Sequence, residues 1–195
     1  LAIRCVPIAS ARVTVGSTSA FAGPVIMTDL FTVDESGDDT TVSGLYVTDA
    51  DPTASSDTFH VTVSTAHLNS DVTLPIDNGS LLDINSALDT GVTYDPGSPT
   101  PDTDMVTLTV ADGFGHSDTV NFLFREGGSG PVDLTGTDGK DVLFATGDSG
   151  DTLTGGGGAD QFVFRPAQDA NADTINDFQP GVDHIDIRAF SQVNT

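Results

Sequence analysis

Tryptophan is absent from these 195 residues, cysteine occurs once and glutamate only twice, as Glu35 and Glu126. The lone Cys5 excludes an internal disulfide, so the staple of a small extracellular fold must come from elsewhere, and a metal is the leading alternative. Basic side chains are equally scarce. Six Lys and Arg oppose 29 Asp and Glu, for a formal net charge of −23. Without a basic patch to neutralise phosphates, no nucleic-acid partner is expected. No apolar run approaches the ~20 residues that cross a bilayer, so no transmembrane segment is expected. The opening stretch 1–11 (LAIRCVPIASA) lacks the order of a cleavable leader, and with no initial Met the chain reads as a segment or a processed product.

The near-absence of Glu gives the charge its meaning. Asp supplies 27 of the acids, and Asp competes with helices while favouring turns and caps. With 21 Gly and 10 Pro, this excludes a helical bundle or coiled coil. Hydrophobic residues at 37%, with 11 Phe, are enough to build cores, so wholesale disorder is excluded too.

A glycine-rich stretch, 127–131 (GGSGP), divides the chain into an expected β-sandwich at 1–126 and a second unit at 132–195. The first unit alternates with period two at 40–48, 58–64, 72–74, 105–110 and 119–124, with Asp-, Gly- and Pro-rich turns between. One stretch departs from the alternation: 83–91 predicts a two-turn helix capped by Asp83, with Ile84, Ala87 and Leu88 apolar and Gly91 past its end. The formal sequon Asn78-Gly79-Ser80 is read as a turn.

The second unit repeats. Residues 155–163 (GGGGADQFV) fit G-G-x-G-x-D-x-U-x throughout, where U is a large apolar residue, and 136–144 (GTDGKDVLF) depart from it only at Thr137. A weaker copy occupies 146–154. The spacing from Asp151 to Asp160 is 9 and from Asp141 to Asp151 is 10, so one residue is inserted. These nonamers resemble the calcium-binding repeats of bacterial RTX (hemolysin-type) proteins. The resemblance implies a parallel β-roll in which alternate repeats stack, with Leu143, Leu153 and Phe162 pointing into a narrow core.

Each half-coil's glycine turn presents backbone carbonyls and one aspartate, and two stacked turns offer about six hard oxygens with two negative charges, a set that suits Ca²⁺. The expected site joins Gly136, Asp138 and Asp141 to Gly156, Gly158 and Asp160, with Asp141 and Asp160 giving carboxylates. A second site on the opposite side would start from Asp151, with Asp169 following 18 residues later. Residues 173–187 resemble the segment that closes the roll in many RTX proteins, which makes Ile175, Phe178, Ile185 and Ile187 expected core contacts; Asp177 and Asp183 are read as ligands or as turn formers.

In the first unit, 47–51, 82–96 and 102–118 resemble bacterial cadherin-like domains of RTX adhesins. That resemblance implies calcium ligands at Asp49, Asp51 and Asp112, helped by Asp34 and Glu35; simple turn formation explains the same residues. No H-E-x-x-H or G-x-S-x-G occurs, and the four histidines are scattered. No catalytic residue is therefore assigned. The combined expectation is an all-β, non-catalytic, calcium-stabilised structural or adhesion module of a secreted or cell-surface bacterial RTX protein, whose partners are calcium ions and possible cell-surface or neighbouring adhesin domains. The alternatives are the secretion and folding tail of an exported enzyme, or a surface-layer or filament subunit.

Overall fold

A computed structural model describes residues 23–28, 31–34, 39–51, 57–67, 70–74, 76–98, 103–125, 130–145, 150–164, 172–188 and 190. Cys5, Glu35, Asp102, Asp169, most of the glycine-rich 127–131 stretch and the Asp34 side chain lie outside the described residues. The described chain is mostly β, in agreement with the expected all-β class. Its strands are β1 (Pro24–Met27), β2 (Thr32–Asp34), β3 (Thr40–Ser43), β4 (Tyr46–Asp49), β5 (Phe59–Thr65), β6 (Asp71–Thr73) and β7 (Asn78–Gly79). Helix α1 (Leu81–Thr90) is followed by β8 (Val92–Asp95), β9 (Thr103–Ala111) and β10 (Ser117–Arg125). Then come β11 (Asp133–Thr135), β12 (Lys140–Ala145), β13 (Thr152–Thr154), β14 (Gln161–Phe164), β15 (Thr174–Ile175) and β16 (His184–Asp186). None of the described helices is long and apolar enough to cross a membrane.

Alternation dictates the antiparallel part. In β9, Asp104, Val106, Leu108 and Val110 are buried while their neighbours are partly exposed, the pattern of a strand with one face on a core. The stretch 40–48, expected as one strand, is two. Gly44 adopts φ +78°, a left-handed bend that only glycine makes cheaply, and β3 and β4 consequently join different sheets. The helix also begins earlier than expected. Ser80 is its N-cap and Asp83 sits three residues on, closing a reciprocal capping box. Ile84, Ala87 and Leu88 are buried as expected.

Beyond the glycine-rich stretch the chain winds between two parallel sheets. One has the order β11-β13-β15; the other is the roll's share of a seven-stranded sheet, β16-β14-β12-β10-β9-β5-β7. Leu143 pairs with Phe162, so the first and third nonamers stack, and Leu153 pairs with Leu134 and Ile175 in the opposite sheet. Leu134, Leu143, Leu153 and Phe162 form a narrow apolar column, all at 2% exposure or less. Phe178 covers Phe162 with ring centroids 6.2 Å apart. Ile185 and Ile187 differ from expectation, being 49% and 60% exposed. They lie in and just after β16, the edge strand of the described sheet, where no further coil among the described residues covers them.

Strand β10 pairs in parallel with β12, so the seven-stranded sheet crosses from one side of the glycine-rich stretch to the other. A shared core crosses with it. Phe144 stacks on Phe124 at 4.8 Å and 13°, Phe124 stacks on Tyr94 at 5.8 Å, and Phe31 meets Phe144 edge-on at 5.8 Å. Such ring pairs contribute about 0.5–1.5 kcal/mol each beyond the area they bury.

Candidate metal centre

Three turns stack on one side of the roll, and each is followed by a buried aspartate. They are 136–139 before Asp141, 155–159 before Asp160, and 176–182 before Asp183. The parallel register makes these aspartates rungs of one ladder. The Asp160 carboxylate accepts the Asp141 N–H at 3.1 Å, and the Asp183 carboxylate accepts the Asp160 N–H at 3.1 Å. All three residues are buried, at 0%, 1% and 6% exposure. The two nonamers read from sequence are therefore in contact, with Asp141 and Asp160 adjacent as expected.

The second oxygen of each carboxylate separates the three. In Asp141 it accepts the N–H of Thr137, four residues back, at 2.7 Å. In Asp183 it accepts the N–H of Gln179, again four back, at 2.7 Å. The equivalent donor for Asp160 is Gly156. That N–H instead turns to Asp177, which collects the N–H groups of both Gly155 and Gly156 at 2.8 Å. Asp160 Oδ2 is thereby left buried without a hydrogen-bond donor.

The surrounding backbone leaves no room for side chains at its glycines. Gly156 and Gly158 adopt φ +93° and +103°, left-handed conformations that disfavour any residue with a Cβ. A Cβ at Gly155 would collide with Asp160 Oδ2, one at Gly136 with the Gly155 carbonyl, one at Gly156 with the Thr137 carbonyl, and one at Gly158 with the Gly139 carbonyl. Backbone carbonyls of Thr137, Gly139 and Gly155, which sequence reasoning did not name, thus lie against these glycines of the stacked turns. The Gly156 carbonyl accepts the Gln179 amide at 3.1 Å and so faces the third turn.

Burial, with the negative charges of Asp141, Asp183 and Asp177 nearby, pushes the Asp160 carboxyl up to about 6. Lys140, next to Asp141 in sequence, is engaged elsewhere: its ammonium donates to Asp118 at 2.7 Å and to the Ile26 carbonyl at 3.0 Å. An ionised, desolvated carboxylate oxygen with no donor is costly unless a cation meets it.

The opposite side of the roll is built differently. Asp151 accepts the Val132 N–H at 3.0 Å and lies 3.9 Å from the buried Arg125 guanidinium. Its own N–H goes to the carboxylate of Asp173, 22 residues on. Asp173 was not singled out from sequence, because the longer β14–β15 connection moves the stacked residue beyond the 18-residue spacing. In the antiparallel region Asp49 accepts the Asp51 N–H at 2.8 Å. Asp112 accepts the N–H groups of Phe114 and His116 and bonds the His116 ring at 2.8 Å. Burial pushes the Asp112 carboxyl up, but these bonds outweigh it and hold the group below its ordinary value. Both residues shape their own turns, with Asp49 Oδ2 buried and without a hydrogen-bond partner, and among the described residues no group of three or more His, Cys, Asp or Glu side chains is arranged to hold a metal ion.

One family model, described as peptidase M10 serralysin C terminal, matches residues 32–195. No curated protein and no solved structure matches the chain. The match takes in the antiparallel strands from β2 onward as well as the stacked glycine turns, and from Thr32 onward the chain belongs to the peptidase M10 serralysin C-terminal family, the RTX-type calcium-binding β-roll region of secreted bacterial proteins.

Proposed function

We propose that the chain is a non-catalytic, calcium-folded C-terminal module of a secreted bacterial protein, and that its cation sits between the first two stacked turns. The observation that carries this reading is Asp160 Oδ2, a buried carboxylate oxygen left without a donor inside a glycine cradle. Asp141 and Asp160 give the carboxylates, and the carbonyls of Thr137, Gly139 and Gly155 give backbone oxygens. Bound calcium supplies there the positive charge that the chain itself does not. On the opposite side the buried Arg125 guanidinium faces Asp151, so that side carries its own cation.

The chain's residues make folding conditional. At neutral pH and low calcium, Asp141, Asp160, Asp177 and Asp183 repel one another and the roll is held open, a form suited to export. At the calcium concentrations outside a cell the same carboxylates become ligands, and binding energy becomes folding energy. The family match runs through the residues that resemble cadherin-like domains too, which favours the tail of an exported protein over an adhesin or a surface-layer subunit.

Calorimetric titration of calcium into the full chain tests this reading, and pH gives it a sign. Burial and the neighbouring negative charges hold the folded Asp160 carboxyl up at about 6, above the ordinary aspartate value of 3.8. A raised folded value means that the calcium-free turn is favoured by protonation: the contribution is complete below about pH 4 and lost as pH rises through 6. Calcium needs the ionised form, so its affinity rises over that same window. Saturable binding at pH 7.5 that weakens at pH 5 is expected; no heat at pH 7.5 with millimolar calcium, or a pH-independent affinity, would overturn the reading.

A further inference from the structure

The aspartate ladder has a fourth rung, and it belongs to the strand before the roll. In the parallel pairing of β10 with β12, Asn121 stands directly opposite Asp141. Its side-chain amide donates to Asp141 Oδ1 at 2.8 Å and to the Thr137 hydroxyl at 3.2 Å. Its own oxygen accepts from the Thr107 hydroxyl at 2.9 Å, which fixes the amide with its NH₂ towards the turn. Asn121 is 7% exposed and its bond to Asp141 is buried, where an unmade bond costs most. A carboxylate at this position would face Asp141 with no donor between them, whereas an aliphatic residue would leave Asp141 Oδ1 with only the Thr137 hydroxyl at 3.3 Å.

Resting on the calcium site proposed above, we propose that Asn121 is a positioning residue for that site: held by Thr107, it fixes the Asp141 carboxylate and the Thr137 turn in their binding geometry. Calcium affinity in the roll is thereby coupled to the antiparallel sheet. Two further residues of β10 share this face at period two. Leu123 joins the apolar column of the roll, and Arg125 reaches Asp151 on the far side.

The test is calcium titration of the full chain carrying Asn121→Leu, with Thr107→Val as a milder second variant that keeps the amide but frees its orientation. A purely structural role would lower the melting temperature equally with and without calcium and leave the dissociation constant of the folded protein unchanged. The proposal expects instead that Asn121→Leu weakens calcium binding at least fivefold and Thr107→Val about twofold to threefold, with an unchanged far-ultraviolet spectrum at saturating calcium. An unaltered dissociation constant in both variants, beside normal binding by the parent chain, would overturn it. If Asn121→Leu does not fold even in saturating calcium, Thr107→Val decides alone. Failure of the parent chain itself to bind calcium would instead refute the site reading.

Discussion

Asp160→Asn is expected to act in opposite directions on the two states of the roll. In chelator at pH 7.5 the variant should melt at a higher temperature than the parent, because an isosteric neutral amide removes one of four crowded negative charges. In calcium the order should reverse. The variant lacks the carboxylate oxygen that the cradle leaves without a donor, so its calcium dissociation constant should rise at least tenfold, equivalent to about 1.4 kcal/mol. Two melting curves and one isotherm read both effects. A variant that bound calcium like the parent would remove Asp160 from the site.

Phe144→Ala should be the most damaging single substitution away from the turns, at about 3–5 kcal/mol. Phe144 is fully buried and lies between Phe124 and Phe31, joining the roll to the antiparallel sheet. Because β10 pairs with β12 and the aromatic core is shared, the loss should be felt by the whole chain. Denaturant unfolding in saturating calcium should show a single transition displaced to lower denaturant. A loss below about 1 kcal/mol, or a split curve whose first-half transition is unmoved, would show the two parts to be energetically separate.

The nonamers were the most legible feature, since glycine and aspartate positions are dictated directly by backbone conformation and ligand chemistry. They identified Asp141 and Asp160 as neighbours although one inserted residue separates their repeats. Strand alternation was legible as well, and it failed where a single residue decides: Gly44 breaks one apparent strand, and Ser80 rather than Asp83 caps the helix because both halves of a capping box look alike in sequence. Two kinds of residue stayed hidden. Asn121 and Arg125 belong to an ordinary alternating strand, and only the parallel register of β10 on β12 brings them to the aspartates. Asp173 and Asp177 become partners of Asp151, Gly155 and Gly156 through connections of irregular length, which no fixed spacing projects.

The unpartnered oxygen of Asp160 follows the same logic. Nothing in GGGGAD distinguishes its second oxygen from that of Asp141 in GTDGKD. The difference arises because Gly156 can turn its N–H away to Asp177, whereas the Thr137 N–H stays on its own aspartate.

Hydrogen exchange followed residue by residue, with calcium and then with chelator at pH 7.5, tests calcium-dependent folding of the roll most directly. Binding only to the folded form stabilises it in proportion to the logarithm of ligand excess, about 2.7 kcal/mol at a hundredfold excess over the dissociation constant. The amides of Gly136, Asp141, Gly157, Asp160 and His184, which bond across the stacked turns, should therefore be protected by roughly a hundredfold in calcium and lose that protection in chelator. Equal protection of these amides in both conditions would contradict the account.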